Sequence, residues 1–143
     1  MGDFHLPAAL VAGVLGFFVG GAWYSKGLFG TAWGKANGYF DASGNLRPEL
    51  QAKAGAKHPA RAFAIAIPFS LVAAVVFASL LGPDPDLGFA LGRALVCAGG
   101  FVATCFGVNY QFCVDRSLVS WAVDAGYHVV QFLVFALVLG LWP

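Results

Sequence analysis

The chain has 143 residues, of which 59% are hydrophobic, 15% aromatic and only 10% charged, with a mean hydropathy of +0.77. That leaves too little polar surface to coat a water-soluble globule of this size, so the chain reads as an all-α polytopic membrane protein, a single domain over residues 1–143. A net charge of +1 gives no electrostatic footprint for nucleic acid, and the lipid bilayer is the first partner expected.

Four stretches are long enough to cross a hydrocarbon core, which needs about 20 apolar residues. They run over about 6–24, 61–81, 87–110 and 118–142, and the expected architecture is a bundle of four transmembrane helices. The opening "MGDFHLPAA" lacks the positive region of a secretory leader, so the first stretch reads as a permanent helix. The connection between the first two spans, about 25–60, holds Lys26, Lys35, Arg47, Lys53 and Lys57, and Arg61 stands at its border with the second span. The connection after the third span adds Arg116, whereas "GPDPD" between the second and third has no basic residue. Basic connections stay in the cytoplasm, which places both termini on the non-cytoplasmic side. Within the long connection "RPELQAKAGAKH" reads as a short surface helix with Pro48 in its first turn. Lys53, Lys57 and Arg61 recur every four residues and are candidate contacts for anionic headgroups; a solvated positive-inside loop is the simpler account, since that bias needs no bound ligand.

Small residues indicate where helices touch. Counted at helical spacing, Ala9, Gly13, Gly16 and Gly20 share one face of the first helix, and Gly88, Gly92, Gly99, Ala103 and Gly107 one face of the third. Pro68 predicts a kink in the second helix that widens the space opposite Asp124. Cys97, Cys105 and Cys113, eight residues apart each time, match neither a redox nor a zinc pattern and read as buried thiols.

The fourth helix carries the chemistry. Asp124, Tyr127, His128 and Gln131 fall within an arc of about 100° and so form one polar stripe. From an entry at Leu118, the helical rise puts Asp124 roughly 9 Å deep and His128 roughly 15 Å deep. The antiparallel third helix brings Asn109 and Tyr110 to the depth of Asp124, and Trp23 and Tyr24 approach it from the first. The expected site is one polar pocket of Trp23, Tyr24, Asn109, Tyr110, Asp124, Tyr127, His128 and Gln131, in which Asp124 orients the imidazole of His128 one turn away. The alternative is a structural stripe that sets helix register. A second small face of the fourth helix, Ala122, Gly126, Ala136 and Gly140, points to a homo-oligomer, because one bundle normally buries a single face.

There is no GxSxG, HExxH, P-loop or dinucleotide fingerprint, so no catalytic residue is assigned. His5, His58 and His128 fall at different depths, and neither a metal site nor a cofactor is expected. Three functions remain open. They are binding or transport of a small ligand, proton or cation through the polar pocket, a non-catalytic accessory subunit, and a membrane-embedded enzyme acting on a lipid-like substrate.

The runs "GGAWYSKGLFGTAWGKANG", "NYQFCVDRSL" and "WAVDAGYHVV" together make the chain resemble domain of unknown function 1761, a family of small bacterial four-helix membrane proteins. The resemblance covers nearly the whole chain apart from about 40–59. It places Trp23, Tyr24, Phe29, Gly30, Trp33, Asn109, Tyr110, Asp124, Gly126, Tyr127 and His128 on motif positions, implies a bacterial cytoplasmic membrane, and supplies no activity.

Overall fold

The computed structural model of the chain describes residues 3–41, 43–50, 59–112 and 117–142. Helix α1 spans Leu6–Trp23, a short α2 Gly30–Ala36, α3 Pro59–Leu81, α4 Leu87–Gln111 and α5 Leu118–Gly140. All but α2 are long and apolar enough to cross a membrane, and the chain is an integral membrane protein. Proline needs no donor in a first turn, which suits Pro59 to open α3 two residues before Arg61. Side-chain caps fix the starts of α4 and α5: Asp86 accepts from the Phe89 amide at 3.0 Å and Ser117 from the Ser120 amide at 3.2 Å.

Helix α5 is the centre of the bundle and touches all four others. The spans run antiparallel, so His5 meets Asp84 at 3.0 Å at the terminal end, while Tyr24 meets Asp124 at the opposite end. The small stripe of α1 lets it sink between α3 and α5: a Cβ on Gly13 would stand 2.9 Å from the Leu71 Cα, and one on Gly16 2.5 Å from Phe135 Cε1. The apolar core gathers in the terminal half, where Ala8, Ala12, Ala74, Phe77, Phe135 and Ala136 are closed off completely or nearly so. The other half is tied by hydrogen bonds.

Helix α4 departs from simple periodicity. Its middle, Val96–Val102, is π-helical and winds less per residue than an α-helix. On an unbroken α-helix Tyr110 would lie about 160° from Ala94. The π stretch turns the lower half back, so that Ala94 is buried above while Tyr110 still reaches α5 below. The same rotation breaks the glycine face expected on this helix. Its packed residues are Ala90, Ala94 and Ala98; among the described residues a Cβ on Gly92 or Gly99 would meet nothing within 4 Å and one on Gly88 only the cap Asp86, while Gly107 faces Trp121.

The second small face of α5 is also used differently. Gly126 lies under Trp23, Ala136 is fully buried, and Gly140 packs on Leu87, so only Ala122 stays exposed. The ground for self-association on that face is thus taken up inside one chain. Cys105 is exposed and Cys97 half-buried, which corrects the buried-thiol reading for these two; Cys113 and His58 lie outside the described residues. Residues 48–50 are helical, and the rest of the expected surface helix lies outside the described residues. So do Lys53, Lys57, Arg116 and the side chain of Arg61.

Candidate functional site

The single polar pocket expected around α5 divides into two clusters. The first surrounds Asp124. Tyr24 Oη donates to Asp124 Oδ1 at 2.7 Å and Tyr110 Oη donates to Oδ2. Ser120, fully buried, lies 3.0 Å from Tyr110 Oη and accepts from Asn37 Nδ2 at 2.6 Å. Since the Tyr110 proton goes to the carboxylate, Ser120 donates to Tyr110, and donation runs from Asn37 through Ser120 and Tyr110 into Asp124. Each carboxylate oxygen therefore receives a phenol, which replaces the water a buried charge loses.

The second cluster lies one turn deeper. Ser70 Oγ donates to the Gly13 carbonyl at 2.7 Å, Gln131 Nε2 donates to Ser70 Oγ at 3.1 Å, and Gln131 Oε1 stands 2.9 Å from His128 Nδ1. The order of donors is forced from its far end. A carbonyl cannot donate, so the Ser70 proton is spent on Gly13 and its oxygen accepts from the amide of Gln131. The Gln131 oxygen then faces His128, and Nδ1 must carry the ring proton. Nε2 is left as a lone pair, with no hydrogen-bond partner among the described residues. Phe106 stacks on the ring at 5.2 Å and Tyr127 leans on it at 4.7 Å, which holds its orientation.

A cleft of about 440 Å³ opens beside this ring. Helix α3 packs mainly on α1, whereas α4 packs mainly on α5, and the gap lies between them. Ala66, Phe69 and Ala73 of α3 form one wall, Val102 and Phe106 of α4 the other, and Tyr127, His128, Gln131 and Phe132 the floor. Its mouth faces sideways, where Phe69 is 70% exposed. Pro68 sits beside this cleft, so the space expected opposite Asp124 lies opposite His128 instead.

The predicted residues separate accordingly. Tyr24, Tyr110 and Asp124 meet; Trp23 covers that cluster by donating to the Val123 carbonyl at 2.9 Å. His128 and Gln131 form the deeper one. Tyr127 lies between them, 5.6 Å from the Tyr24 ring with its hydroxyl 3.4 Å from the Gly16 carbonyl. Asn109 does not join them. It is exposed and lines a shallow hollow with Phe101, Cys105 and Phe106. Nor does Asp124 orient His128, since the donors to its carboxylate are tyrosines and the imidazole is set by Gln131. Sequence reasoning missed Ser70, Ser120 and Asn37; a lone serine inside the apolar run "IPFSLV" was the available signal for the first.

A family model described as "Protein of unknown function (DUF1761)" matches residues 7–140, nearly the whole chain. The chain belongs to that family. No curated protein and no solved structure matches it. In this DUF1761 chain the three stretches that carry the resemblance meet in space. Trp23 lies against Phe29 with ring centroids 4.3 Å apart and covers Gly126, while Trp33 meets Tyr24 edge-on at 5.5 Å. Gly30 stands where any Cβ would collide with the Tyr24 carbonyl, so α2 can fold back tightly enough for Asn37 to reach Ser120.

Proposed function

We propose that this membrane protein binds a small lipid-soluble ligand in the lateral cleft between α3 and α4, with His128 Nε2 as the group that recognises it. The observation that carries the reading is the polar floor of an otherwise apolar, side-opening cleft, in which three buried residues are spent on presenting one unpaired acceptor. The volume of about 440 Å³ lies within the range of small-ligand sites. Polar groups at this depth are costly unless they serve a contact, and the helical rise sets His128 about 15 Å from the start of α5. Asp124 acts as the fastening that holds α1, α2 and α4 on α5 below the cleft.

The basic connection between α1 and α3 lies in the cytoplasm in this reading, both termini lie outside, and the membrane is a bacterial cytoplasmic one. A second reading, a structural accessory subunit, draws on the Asp124 cluster, whose acceptors are filled from within the chain.

The two readings part on occupancy. The full chain is extracted from its expression membrane directly into nanodiscs and released for native mass spectrometry, alongside Ala66→Trp, which fills the cleft from an exposed position. A co-purified small molecule on the wild type that is lost from the variant supports binding. Bare protein in both, with equal thermal stability, favours the accessory reading.

A further inference from the structure

The donor order at the cleft floor limits what the ligand can be, a step that rests on the binding reading above. We infer that the occupant is an uncharged, lipid-soluble molecule bearing a hydroxyl, an alcohol or phenol on an apolar body, which donates its hydroxyl proton to His128 Nε2.

Polarity comes first. Gly13 C=O, Ser70, Gln131 and His128 form a one-way series that ends in a lone pair, so the ligand must offer a donor there. Opposite the neutral ring a carboxylate, phosphate or ether oxygen would set lone pair against lone pair, and an imidazolium that could meet an anion would have to hold its charge among apolar walls. An ammonium group has the donor but needs a counter-charge, and among the described residues no carboxylate lines the cleft; that of Asp124 already receives Tyr24 and Tyr110. Among the described residues no His, Cys, Asp or Glu group is gathered to hold a metal ion either. Depth points the same way. A charged headgroup anchored at the membrane surface cannot follow its chain to mid-bilayer without losing its hydration, whereas a single hydroxyl loses little when it gains one hydrogen bond. The remaining surface, chiefly Ala66, Phe69, Val102, Phe106 and Phe132, is apolar and suits the body of such a molecule, and the sideways mouth admits it from the hydrocarbon. Phe106, stacked on the imidazole, keeps Nε2 from turning away from the incoming hydroxyl.

The test uses the full chain in nanodiscs with four diazirine probes of one chain length, ending in an alcohol, its methyl ether, a carboxylic acid or an amine, at equal mole fraction in the lipid. Photolabelled peptides are mapped by mass spectrometry. The alcohol is expected to label the α3 and α5 peptides that line the cleft up to roughly tenfold more than the ether, the worth of one neutral hydrogen bond. His128→Phe should abolish that preference; the ether comparison on the wild type stands even where this variant misfolds. Equal labelling of the cleft by alcohol and ether, or preference for acid or amine, overturns the hydroxyl while leaving a ligand-binding cleft. Labelling that avoids the cleft with every probe overturns both.

Discussion

His128 Nδ1 lies 2.9 Å from Gln131 Oε1, and that contact decides which nitrogen of the imidazole meets the cleft. Because Gln131 is itself fixed by Ser70, and Ser70 by the Gly13 carbonyl, the chemistry of the α5 floor depends on how closely α1 approaches α3. Gly13, against Leu71 of α3, and Gly16, against Gln131 and Phe135 of α5, therefore bear on the ring of His128.

Ser70→Ala is expected to release this order. The Gln131 amide loses its acceptor, the amide can turn over, and Nδ1 no longer needs to hold the proton. Interhelical hydrogen bonds in membranes average about 0.6 and reach about 1.7 kcal/mol, so the variant should fold with modestly lowered stability. Nitrogen NMR of labelled histidine is the check: one tautomer, protonated at Nδ1, in the wild type, and a mixture in the variant. An unchanged single tautomer would show that the Ser70 link does not govern it.

Asp124→Asn should act on stability and leave the cleft alone. Its amide must turn an N–H toward one of two phenols that both donate, and loss of a charged acceptor costs roughly 1.5–3 kcal/mol. Thermal unfolding in detergent should fall, while any ligand retention by the folded protein stays at the wild-type level. Normal stability with lost retention would place Asp124 in the ligand site.

The two glycine faces should respond in opposite ways. Gly16→Val puts side-chain atoms into Phe135 and Gln131 and should push α1 off α5, with a large loss of thermal stability. A Cβ on Gly92 meets nothing within 4 Å among the described residues, and Gly92→Val should be close to neutral. Equal losses in both would mean that α4 uses its glycine face after all, against this chain or another.

Orientation rests on the basic residues of the connections. Single cysteines introduced at Gly44 and Asp84 in a background lacking the native cysteines should label from opposite sides, Gly44 from the cytoplasm. Cytoplasmic labelling of position 84 alone would invert the assignment.

Hydropathy alone marks the four spans, since no soluble fold needs apolar runs of this length, and the spacing of Asp124, Tyr127, His128 and Gln131 marks one side of α5 as polar. Partner choice across helices is not legible in the same way. Whether Asp124 meets His128 or Tyr110 depends on helix rotation, and α4 carries a π stretch at "VCAGGFV", where an α-helical count puts Tyr110 on the wrong side. The similar run "ALVAGVLGFF" in α1 stays α-helical, so composition does not announce the difference. Ser70 escapes a reading of the residues for another reason: one hydroxyl in an apolar helix gains meaning only when the Gly13 carbonyl and Gln131 stand beside it.

In the binding reading a ligand reaches Nε2 of His128 from the cleft. The most direct measurement is nitrogen NMR of the labelled wild-type protein in nanodiscs, with a long-chain alcohol titrated against its methyl ether. The alcohol is predicted to move the Nε2 resonance toward that of a hydrogen-bonded acceptor, with Nδ1 protonated throughout, and the ether to move neither. A response confined to Nδ1, or an Nε2 signal indifferent to both probes, would contradict it.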